Sequence, residues 1–82
     1  MKKFSVVDKK NFAGRLRQAL AESDIETVTE LAAIAVVNRP SLYVWLNGRC
    51  LPSLEIAYRL ATALGVSVDW LTGRTNCKEV SR

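Results

Sequence analysis

Apolar residues in this chain return at helical spacing in five separate stretches, and none alternates with the period of a strand. The first covers residues 9–21. Phe12, Leu16, Ala19 and Leu20 line its inner face, Arg15 and Arg17 its outer one, and Asp8 is placed to cap it. Gly14 inside this helix costs about 1 kcal/mol against alanine and marks a candidate close approach of another backbone. The second stretch, 28–35, has Leu31, Ala32, Ile34 and Ala35 on one stripe. Thr27 caps it, and Glu30 completes a T-x-x-E capping box. The third, 39–47, follows the N-cap Asn38, carries Pro40 in its first turn and ends at Asn47-Gly48. Leu42 and Trp45, three apart, face inward together. Ser53 caps the fourth, 54–64, where Ile56, Ala57, Leu60, Ala61 and Leu64 repeat before Gly65 ends it. Ser67 caps the short fifth, 68–72, with Val68, Trp70 and Leu71 facing the core or a partner chain. The pattern predicts an all-α domain with Phe12, Leu16, Leu31, Ile34, Leu42, Trp45, Leu60, Leu64 and Trp70 inside; Trp70 is assigned to the core because a small bundle needs its few aromatics there.

The third helix shows Arg39, Pro40, Ser41, Tyr43, Val44 and Asn47 on its outer face. A guanidinium, two hydroxyls, an amide and apolar groups on about two turns suit a DNA major groove, where base edges offer hydrogen bonds and thymine methyls offer apolar contact. On the pattern alone, an ordinary solvated helix of a small bundle is the simpler reading.

The residues around that helix shift the balance. The run L-A-x-x-x-x-V-x-x-x-x-L-x-x-W-x-N-G, from Leu31 to Gly48, resembles the helix-turn-helix of the phage repressor and Cro family. Pro52-Ser53-Leu54 and the run from Leu60 to Leu71, L-A-x-A-L-G-V-S-V-D-W-L, resemble that family's last two helices. The resemblance covers roughly residues 12–73. It implies a compact five-helix bundle of the lambda-repressor-like type, a sequence-specific double-stranded DNA binder, usually a dimer on a two-fold operator. Transferred residue by residue, it makes Arg39 the main base reader, with Pro40 and Val44 as apolar contacts and Tyr43 as a base or phosphate contact. Ser41, Asn47 and Arg49 become phosphate positioners. It sets the start of helix 2, Val28 and Thr29, against a phosphate, and a weak homodimer around Val66, Val68 and Trp70.

Four departures from the family pattern stand out. The connection Ser23-Asp24-Ile25-Glu26 is one residue longer than the usual turn between helices 1 and 2. Val28 occupies a position often held by a phosphate-binding glutamine. Val36 stands where the family usually has glycine; a β-branched residue at positive φ is strained, and a more helical turn is the expectation. Finally, the family commonly pairs a glutamate just before Asn-Gly with a basic residue late in helix 1, and both positions are leucine here, Leu46 and Leu20. The paired change predicts that the two leucines pack across helices 1 and 3.

Composition sets the outer bounds. Eighty-two residues, 49% apolar, make one modest core. A net charge of +4 and a pI near 9.4 are compatible with nucleic acid. Between Arg17 and Arg39, however, the chain has no basic residue, while Glu22, Asp24, Glu26 and Glu30 are acidic. Two cysteines, Cys50 and Cys77, without a C-x-x-C and without any histidine speak against zinc. No nucleophile motif or Gly-rich phosphate loop suggests an enzyme, and no cofactor or small-molecule substrate is expected. The N-terminus is too short in apolar residues for a signal peptide and no run is long enough to span a membrane, so a cytoplasmic protein is expected. Residues 1–8 read as an N-terminal arm, 9–73 as the DNA-binding domain, and 74–82 as a flexible tail or linker. The leading expectation is a repressor-type transcriptional regulator; the alternative is a protein-interaction module on the same fold, such as an antitoxin or adaptor.

Overall fold

A computed structural model describes residues 8–73 of the chain; the N-terminal arm before Asp8 and the tail from residue 74, with Cys77, lie outside the described residues. Five helices follow one another: α1 Lys9–Glu22, α2 Val28–Ala35, α3 Arg39–Leu46, α4 Leu54–Leu64 and α5 Val68–Thr72. Among the described residues there is no strand.

Each helix begins where a side chain can take up an orphan backbone N–H. Asp8 accepts from Lys10, Thr27 from Glu30, Asn38 from Ser41, Ser53 from Ile56 and Ser67 from Trp70. The Glu30 carboxylate reaches back to the backbone N–H of Glu26 at 2.9 Å, so the box closes one residue earlier than its usual form.

The helix ends repeat one device three times. In α3 the Arg49 N–H returns to the Val44 carbonyl and the Gly48 N–H to that of Trp45. In α4 Val66 returns to Ala61 and Gly65 to Thr62, and in α2 Val37 returns to Ala32. This is the Schellman arrangement, which needs a left-handed residue just past the helix. Gly48 and Gly65 supply it at φ 73° and 74°, and Val36 supplies it at φ 58°. The expected more helical turn at Val36 is therefore incorrect: the turn keeps its left-handed geometry and valine bears the strain. Arg59 of α4 donates to the Val36 carbonyl at 3.3 Å, holding this corner from outside.

The longer connection between α1 and α2 is closed by Ser23. Its hydroxyl donates to the Leu20 carbonyl at 2.8 Å and accepts from the Ile25 N–H at 3.1 Å, and Ile25 packs against the core. The extra residue is absorbed here, before α2 begins.

α1 packs on α3 and α5, and α2 on α3 and α4. Phe12, Leu16, Leu31, Leu42, Leu60 and Leu71 are completely enclosed, joined by Trp45, Leu46, Leu64, Val66 and Trp70. Ile34 is a correction, being 52% exposed rather than buried. The inward stripe of α2 is Val28, Leu31, Ala32 and Ala35, and Ile34 lies roughly 110° around the helix from its centre. Its side faces Tyr58 and Arg59 of α4 across an open groove. Gly14 is a third correction. Nothing lies within 4 Å of a Cβ built there, so no backbone approaches it.

Candidate nucleic-acid interface

α3 divides into two rows. Leu42, Trp45 and Leu46 are buried in the core, whereas Arg39, Pro40, Tyr43 and Asn47 are exposed. Ser41 and Val44 fall between the rows; Val44 is half-buried and packs against the core, so only its edge is open to a ligand. The helix is held at both ends, by the Asn38 cap and by the turn through Gly48, so the outer row is presented on a fixed frame.

At the N-terminal end, the Arg39 guanidinium donates to the Thr29 hydroxyl at 3.0 Å. This bond brings together two residues that the sequence assigned separately, one to base reading and one to the start of α2. Val28 beside it is half-buried against the core, so its side chain is unavailable to a phosphate. What α2 offers an anion is its first N–H groups, flanked by the exposed carboxylates Glu26 and Glu30.

At the C-terminal end, Arg49 is exposed just beyond the recognition turn. Glycine suits position 48 because its φ is left-handed; the turn also lies close to α1, where a Cβ would meet the Cα of Lys10 at an ordinary contact distance of 3.6 Å. The turn therefore lies against the start of α1, which carries Lys9 and Lys10, both exposed. Cys50 is an exposed free thiol next to Arg49.

Arg15 and Arg17, assigned by periodicity to a solvated face, are both engaged within the molecule. Arg15 donates to the Trp70 carbonyl at 2.7 Å with its guanidinium carbon 4.9 Å from the Trp70 ring centroid, tying α1 to α5. Arg17 donates through Nε to the Leu46 carbonyl at 2.9 Å and through a terminal nitrogen to Asn47 Oδ1 at 3.2 Å. Leu46 is buried, Leu20 is half-buried against the same core, and both border the cleft where α1 meets α3. Both leucines line that cleft, and Arg17, one turn before Leu20, provides the polar tie to α3 there. Sequence reasoning missed Arg17 as a site residue. Its spacing of three from Leu20 puts the two near one face of α1 but does not name the groups that the guanidinium meets.

The expected dimer residues fare differently. Val66 and Trp70 are 8% and 3% exposed within the chain's own core, where the apolar spacing placed Trp70, and not at the partner surface that the resemblance implied for both; of the three, Val68 is partly open, beside Tyr58.

The helix-turn-helix family profile, of the Cro/C1 type, matches residues 27–71, more than half of the chain and the whole span from the α2 cap to α5. The chain belongs to this family, and it is accordingly a DNA-binding protein of the transcription-regulator class. Neither the comparison with curated proteins nor that with solved structures returned a match. No helix among the described residues is long and apolar enough to cross a membrane.

Proposed function

We propose that the protein is a repressor-type regulator of the cytoplasm that inserts α3 into the major groove of a two-fold operator, binding as a weak homodimer. The observation that carries this reading is the division of α3 into a core row and an outer row of Arg39, Pro40, Tyr43 and Asn47, with Arg39 held against Thr29. Arg39 is the base reader, since a guanidinium matches guanine O6 and N7 bidentately. Pro40 and the open edge of Val44 contact apolar base surface, and Tyr43 reaches a base or phosphate. Ser41, Asn47, Arg49 and the α2 start at Val28 and Thr29 position the helix on the backbone. With one charged reader on the face, sequence-dependent DNA shape contributes to specificity.

Selection from random duplex DNA tests the reading directly, because it yields an operator or fails to. On the selected operator, Arg39→Ala should cost about 1–3 kcal/mol and relax the preference at one base pair. Arg49→Ala should weaken all sequences alike and flatten the salt dependence by about one unit. A wild-type protein that enriches no sequence and binds duplex no better than an unrelated basic protein would remove the repressor reading. An interaction module on the same fold, for which the exposed Glu26 and Glu30 beside the α2 start would be the motive, would then replace it.

A further inference from the structure

Asn47 ends α3 with its own backbone N–H bound to the Tyr43 carbonyl at 3.0 Å, and its side chain is exposed. A primary amide has one accepting end and one donating end, and nothing intrinsic decides which of them faces the solvent. Here a neighbour decides it. A guanidinium carries only donors, so the atom of Asn47 that meets Arg17 at 3.2 Å has to be the carbonyl oxygen. Both N–H groups of the amide are then directed away from Arg17. Arg17 is itself fixed by its second bond, from Nε to the Leu46 carbonyl, so the fork grips two consecutive residues.

The same contact changes the electrostatics of the helix end. The N–H groups of Asn47, Arg49 and Gly48 take the Tyr43, Val44 and Trp45 carbonyls, which leaves that of Leu46 at the partly negative end of the helix. Left bare, that end would oppose an approaching phosphate. Arg17 covers the Leu46 carbonyl with a cation, and leucine rather than a carboxylate at position 46 leaves this charge unneutralised by any side chain at that residue.

We propose that Arg17 is a positioning residue for DNA binding: it presets the Asn47 amide as a pure donor toward a backbone phosphate. The proposal builds on the DNA-binding reading above and assigns a role within it. Arg17 acts through Asn47 and makes no phosphate contact of its own. A phosphate contact made by the neutral amide releases no counterion from the duplex, whereas one made by Arg17 itself would, and the salt slope tells them apart.

The test measures binding of Arg17→Ala, Asn47→Ala and the double variant to a mixed-sequence DNA duplex across a salt series, with a thermal melt of each protein. Each single variant should bind about tenfold more weakly, as for one lost hydrogen bond to a charged group. The double variant should bind no more weakly than either single one, and the salt slope should match wild type in all three. Additive losses, or a slope flatter by about one unit in Arg17→Ala, would mean that Arg17 touches phosphate itself and would overturn the proposal. So would a lowered melting temperature with unchanged affinity, which would make Arg17 a helix cap and nothing more. Arg17→Lys, which keeps the charge and one donor arm, covers the case in which alanine fails to fold; it should melt near wild type yet lose part of the affinity, and full affinity would count against the proposal. Absence of duplex binding by the wild type would show separately that the DNA-binding reading had failed.

Discussion

At the residue scale, Val36 stands out as the one non-glycine residue at positive φ among the described residues. It adopts φ 58° with its side chain 74% exposed, so the valine bears left-handed strain without compensating burial. Val36→Gly should raise stability by about 1 kcal/mol, the relief of strain outweighing the greater freedom of glycine in the unfolded chain. A urea titration giving a lower midpoint for the variant would show that the side chain makes a contact worth more than the strain. Gly14 offers the complementary change. It lies inside α1 with open space around it, and Gly14→Ala should add about 1 kcal/mol. Thermal unfolding decides this one, and a lower melting temperature would mean that a Cβ does meet something there. The sequence places both residues but misreads each, because neither a turn's handedness nor the space beside a helix is visible in apolar spacing.

At the element scale, the seam between α1 and α3 sets the pose of the recognition helix. Leu46 is 5% exposed on that seam, with Leu20 partly buried against the same core and Arg17 bridging above. Leu46→Ala should cost about 2–5 kcal/mol, which for so small a domain is a large share of its stability. Loss of less than 1 kcal/mol by chemical denaturation would show that the seam collapses around the gap. All five helices were legible in the sequence because caps and apolar stripes agree at Asp8, Thr27, Asn38, Ser53 and Ser67. Ile34 was misplaced because a three-four spacing defines a stripe only to within a residue's width, and the width of α2's stripe is set by α3 and α4. Of the candidate site, the outer row of α3 could be read directly. The tie between Arg17 and Asn47 could not, since long polar side chains carry no periodic signal for the partner they will meet.

At the scale of the whole molecule, charge is distributed unevenly about α3. Arg39 stands at its start, Arg17 and Arg49 at its end with Lys10 nearby, while Glu22, Asp24, Glu26 and Glu30 gather where α1 turns into α2. Association is a question at the same scale. With Val66 and Trp70 committed to the core, the apolar surface beside α5 among the described residues comes chiefly from Val68 and the neighbouring Tyr58, too little for tight pairing. Sedimentation at micromolar concentration should therefore find monomer alone and a dimer on operator DNA. Monomer in both conditions would argue that one copy suffices for binding.

The two-row character of α3 has a bearing on how such a protein changes over time. Leu42, Trp45 and Leu46 answer to the interior, whereas Arg39, Pro40 and Tyr43 answer to whatever lies outside. A lineage carrying this helix can exchange the outer three with little penalty to folding and so migrate between targets, while Asn47, gripped by Arg17, moves only if its neighbour moves too. Drift in preference is cheap along one edge of the helix and coupled along the other.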